Sequence, residues 1–142
     1  MQVSHPQGLY TFELPEGWNW HADDDGGGAI APEARGLLYI TAQAVADRSQ
    51  LPSLTRMLAG WLTTHVRPVA TDELVPTAFP GGQGYAWQYT EEYADKEPHA
   101  FRVWVAGNEA AWAFRNFNGP VSREPHVRAD VDRLVASFSL VS

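Results

Sequence analysis

The chain has 142 residues, a formal net charge of −7 and no cysteine, with 44% hydrophobic and 19% charged residues. That length implies one domain, 1–142, able to bury a core unaided, and the missing cysteines exclude disulfides, thiolate zinc sites and thiol nucleophiles. The ten Lys and Arg are scattered singly, so there is no basic stripe for nucleic acid or anionic lipid, and a basic protein partner or, more commonly, plain solubility suits the charge better.

The opening MQVSHPQGLY lacks a basic stretch followed by an apolar one, and no window approaches the ~20 apolar residues of a membrane span. A soluble, cytoplasmic protein is therefore expected. Leu9–Leu14 reads as a short strand, stopped by Pro15-Glu16-Gly17, where Pro sets φ and Gly supplies a positive one. Trp18–Ala22 alternates as a second strand, the run Asp23-Asp24-Asp25-Gly26-Gly27-Gly28 follows as a loop, and Ala29–Pro32 is a short apolar piece. Gly36–Val45 predicts a longer strand.

Leu54, Leu58, Trp61, Leu62 and His65 share one face at helical spacing, with Ser49 or Ser53 as N-cap and Pro68 as the stop. Asp72–Val75 is read as a short strand, leading into a loop that carries Pro76, Pro80 and three glycines. Three β runs come next, Tyr85–Tyr93, Phe101–Ala106 and Glu109–Phe117. A two-residue turn at Gly107-Asn108 would pair Phe101 with Phe114, Val103 with Trp112 and Val105 with Ala110. A three-residue loop at Ala94-Asp95-Lys96 pairs Tyr89 with Phe101, Trp87 with Val103 and Tyr85 with Val105. A two-residue loop would instead set polar residues against that apolar face. Val127, Val131, Leu134, Val135 and Phe138 predict a last helix, and Ser137–Val141 a terminal strand.

Strands segregated from helices indicate an α+β fold: an antiparallel sheet of six or more strands flanked by two helices, a three-layer sandwich. The opening LYTFELPEGW, the late aromatic hairpin strands and the closing DVDRLVASFSLV resemble the PsbP/DcrB-like small domains of the Mog/PsbP-like superfamily. The resemblance spans nearly the whole chain. It implies a non-enzymatic binding role, as in a photosynthetic accessory protein, a nucleotide-release factor for a small GTPase, or lipoproteins and chaperone-like adaptors. No shared catalytic motif comes with it, and the lipobox cysteine of the lipoproteins is missing here.

Residue chemistry points the same way. The run Asp23, Asp24, Asp25 fails the spacing of a calcium-binding EF-hand, although three carboxylates are a candidate loose metal site. A phosphate nest on the glycines would be repelled by them, and a hairpin tip is preferred. The five histidines show no metal-binding spacing, and His99 is expected opposite Glu91. Glu91-Glu92 face opposite ways in a strand, no Ser occupies a nucleophile elbow, and Gly81-Gly82-Gln83-Gly84 precedes a strand rather than a helix. No enzyme activity and no cofactor are expected.

Tyr85, Trp87, Tyr89, Phe101, Val103, Trp112 and Phe114 form the expected core stripe, with Trp18 and Trp20 also as core. The opposite face carries Arg102, Trp104 and Arg115 among Ala86, Ala111 and Ala113. The alanines suit a helix seat; were that face open, Trp104 between two arginines would anchor a partner. The expected function is a protein-binding or adaptor domain, the alternative a small-molecule binder with an aromatic and Arg-lined pocket between sheet and helix.

Overall fold

The computed structural model describes residues 1–24 and 26–141. The described strands are β1 (Gln2–Ser4), β2 (Tyr10–Glu13), β3 (Asn19–Ala22), β4 (Gly26–Ile30), β5 (Leu37–Ala44), β6 (Val75–Phe79), β7 (Gly82–Glu91), β8 (His99–Gly107), β9 (Ala111–Pro120) and β10 (Ser139–Leu140). Two α-helices join them, α1 (Leu54–His65) and α2 (Glu124–Ser137). One antiparallel sheet runs β3-β4-β5-β9-β8-β7-β6, and a small one runs β1-β2-β10.

Helix α1 starts where expected. The Ser53 side chain accepts from the Arg56 amide at 3.4 Å, meeting one of the amides a helix start leaves unpaired. Its buried Leu58 and Leu62 pack with Val103 and Val105 on the aromatic face of the large sheet. Helix α2 buries Val127, Val131 and Leu134 on the other face. Strand β2 and Phe138 share that larger core with Trp104, Ala106, Ala111 and Ala113, so the alanines are buried, with α2 packed on β2. Trp18 is in the same core, and its indole donates to Asp130 Oδ2 of α2 at 3.1 Å.

The β7–β8 register is the expected one, with Tyr89 opposite Phe101, Trp87 opposite Val103 and Tyr85 opposite Val105. Ladder pairing ends at Glu91 and His99, so the connection is longer than three residues. The β8–β9 register differs: Val105 faces Phe114, and Phe101 faces Asn118. The reason is local. Asn108 Oδ1 accepts from the Ala110 and Ala111 amides at 2.8 and 2.9 Å, and the Asn108 amide donates to Ala111 O. This side-chain-capped turn puts Glu109-Ala110 at the tip, two residues beyond Gly107-Asn108. The slip is even, so every side chain keeps its face.

Two other expectations change. Residues 71–73 form a single 3-10 turn, and the strand follows it as β6, through Pro76. Proline is tolerated because β6 pairs only with β7, at the sheet edge. Gly26, Gly27 and Gly28 belong to β4 rather than to a loop. A Cβ on Gly26 would lie 1.9 Å from Ile40 O, and one on Gly27 2.6 Å from the Trp20 ring. The glycines let β3, Trp20 and β5 close on β4.

Candidate functional site

Alternation along β8 and β9 puts Arg102, Trp104 and Arg115 on the α2 face, with Trp104 directly opposite Arg115. Trp104 is 4% exposed and Arg115 0% exposed. Neither stands on open surface, because α2 and the small sheet cover them. Arg102 alone reaches the rim, where its Nη1 lies 2.8 Å from Asp132 Oδ1 and its guanidinium carbon 4.9 Å from the Trp104 ring.

Arg115 points into an aromatic box. Its guanidinium carbon lies 4.1 Å from the ring of Phe138, 4.7 Å from Phe79 and 5.6 Å from Trp104. Its three side-chain nitrogens are buried, and none has a hydrogen-bond partner among the described residues. Burial pushes its pKa down to about 9, which leaves it charged at neutral pH. Cation–π attraction offsets part of the desolvation cost, but among the described residues no carboxylate pairs with the charge.

Of the acid–glycine run, Asp23 and Gly26 flank the β3–β4 pairing and Gly26–Gly28 lie in β4. The Asp23 amide donates to Gly26 O at 3.0 Å, and Asp23 Oδ1 accepts from the Gly26 amide at 2.8 Å. Asp24 is exposed, and Asp25 lies outside the described residues. Among the described residues no three His, Asp or Glu side chains are grouped to hold a metal ion. Gly26, Gly27 and Gly28 pair with β5 opposite Thr41, Ile40 and Tyr39, so they form a ladder and not a phosphate nest. His99 stands opposite Glu91 as expected, but its Nδ1 lies 3.3 Å from Asn118 Oδ1, while Glu91 accepts from the Tyr93 hydroxyl at 3.2 Å.

The aromatic face holds what strand patterning did not reveal. Helix α1 packs on β7 and β8. On β5 and β9, the same face presents Tyr39, which is 48% exposed, and the half-buried Trp112 and Phe114. Between these strands and α1 runs an apolar groove of about 460 Å³, lined by Thr41, Met57, Trp61, His65, Trp112 and Phe114. The Trp61 ring lies 4.0 Å from His65 and 5.1 Å from Phe114. A second groove, about 590 Å³, lies at the start of α1, where Leu51 and Leu54 overhang Gly107, Gln83 and Tyr85. A cluster of aromatics predicts core, and only the placement of α1 shows which of them stay uncovered.

No family model matches the chain, and no curated protein matches it by sequence. Solved structures do match in fold. A Bacteroides thetaiotaomicron VPI-5482 protein superposes with a TM-score of 0.69 at 11% identity over 99% of this chain and 48% of its own. The present chain thus spans about half of that protein. Cyanobacterial PsbP (CyanoP) from Synechocystis sp. PCC 6803 gives a TM-score of 0.68 at 15% identity, over 99% of this chain and 92% of its own. LpqN of Mycobacterium tuberculosis, involved in cell envelope biogenesis, gives 0.66 at 7% identity, over 100% and 90%. The fold is PsbP-like. Among the described residues no helix is long and apolar enough to cross a membrane.

Proposed function

We propose that this chain is a non-enzymatic protein-binding or adaptor domain that engages its partner through the aromatic shelf beside α1. The observation that carries this reading is the unequal cover of the sheet. One face is covered over most of its width by α2 and the small sheet, while on the other Trp112 and Phe114 stay partly open to solvent beside Trp61, with the exposed Tyr39 on the same face. Half-exposed aromatics on a rigid sheet are the residue types that anchor protein interfaces. The accessory role of such domains in the superfamily and the part LpqN takes in cell envelope biogenesis support an adaptor. The compartment proposed from the sequence is the cytoplasm, and fractionation of cells expressing the chain tests it against an envelope location.

A photo-crosslinking residue in place of Tyr39, installed in the native host, tests the shelf. A discrete crosslinked protein that disappears when Trp112→Ala is added, and is missing when the crosslinker replaces Val75, is the expected result. Equal crosslinking from both positions would sink the proposal. A second reading is a small-molecule site in the groove at the start of α1, favoured by its 590 Å³ and the polar Gln83, Tyr85 and Asn108 along it. A retained organic adduct in native mass spectrometry, lost in Gly107→Val, would favour that reading instead.

A further inference from the structure

We propose that Arg115 anchors a binding site for a small oxyanion, a carboxylate or phosphate, reached from the groove beside Arg102 through movement of Trp104. This goes beyond the aromatic shelf and lies on the opposite face of the sheet. Arg115 is 0% exposed, and among the described residues none of its side-chain nitrogens meets an acceptor. The rings of Phe79, Trp104 and Phe138 attract its charge but offer no more than weak N–H···π contacts to its donors. A purely structural role for this side chain is expensive, since apolar residues of similar volume fill a core at lower cost than a buried charge. What a guanidinium adds is a planar fork that fits a carboxylate or phosphate through two parallel hydrogen bonds.

The approach is on the same face. A groove of about 430 Å³ opens beside Trp104, with Arg102, Gln88, Thr77 and Ala86 on its walls. Trp104 is the partition: Arg102 lies 4.9 Å from its ring and Arg115 5.6 Å from it. Its neighbour across β7 is Ala86, small enough to leave room for the indole to turn. An entering anion meets Arg102 first, in competition with Asp132, a carboxylate 56% exposed. It then reaches Arg115 as Trp104 swings aside. With a net charge of −7 the protein repels anions in general, so saturable uptake requires a local site.

The test is a titration of the full chain with sodium acetate and, separately, sodium phosphate, at ionic strength held constant with chloride. Arginine Nε–Hε resonances and tryptophan fluorescence are followed together. The expected result is saturation in the millimolar range in at least one arm, with the Arg115 Nε–Hε resonance moving on the same isotherm. The better arm names the oxyanion. Arg115→Met should weaken the midpoint more than about tenfold, and Arg102→Gln should weaken it less. A linear or flat response of the wild type to both anions would overturn the site, as would an unchanged midpoint in Arg115→Met. Because the wild-type Arg115 resonance is read directly, the outcome does not depend on the variant folding.

Discussion

The two faces of the seven-stranded sheet are built from the same alternating strands yet are finished differently. On the α2 face, Trp104, Ala106, Ala111, Ala113 and Phe117 lie under a helix and a three-stranded sheet, in one core with Phe12, Val131 and Leu134. On the α1 face, a single helix covers β7 and β8 and leaves Tyr39, Trp112 and Phe114 partly open. The cover differs: α1 packs directly on β7 and β8, whereas α2 packs on β2 of the small sheet and shares one core with Ala106, Ala111 and Ala113. The sealed face hides a charge, and the open face displays rings. Stability therefore rests more on the first, and the proposed recognition on the second.

Truncation on the sealed face sharpens this contrast most. Leu134→Ala, at a fully buried position, should lower unfolding free energy by about 2–5 kcal/mol in urea denaturation. Tyr39→Ala, on the open shelf, should cost less than about 1 kcal/mol. Equal losses would erase the division between the faces.

Arg115→Met comes next, with the opposite sign: a gain of about 1–4 kcal/mol at neutral pH in anion-poor buffer, because a buried unpaired charge is removed. Its pH dependence is set by burial, which holds the folded-state pKa of Arg115 near 9, below its unfolded-state value. A base depressed in this way destabilises the fold while protonated, so the penalty is constant below about pH 9 and shrinks as pH rises further. The advantage of Arg115→Met over wild type should thus be flat from pH 6 to 8 and narrow above 9. An advantage that widened with pH would mean that burial stabilises the charged guanidinium.

The smallest effect tests a helix end. Ser53→Ala removes the cap that the Arg56 amide donates to and should cost about 0.5–1 kcal/mol. A larger loss would tie the start of α1 to the groove that Leu51 and Leu54 overhang.

Much of this architecture is legible in the residues alone. Helical spacing and Ser53 locate α1, Val127, Val131 and Leu134 locate α2, and burial patterning sets the β7–β8 register, because local periodicity and side-chain size act within one or two strands. Even the hairpin misplaced by two residues at Asn108 kept its faces, since a strand repeats every second residue. Tertiary structure decided the rest. Gly26, Gly27 and Gly28 read as a loop but became a strand because Trp20 and the Ile40 backbone needed the space. Leu9–Leu14 joined a second sheet with the N-terminal Gln2–Ser4 and the C-terminal Ser139–Leu140, a pairing between chain ends that no local signal encodes. The same limit governs the candidate sites. Alternation told that Arg115 and Trp104 share one face and that Trp112 stands on the other, but a strand pattern carries no record of what will lie over either face. The fully buried guanidinium and the exposed ring edges were settled by where α2 and α1 came to rest.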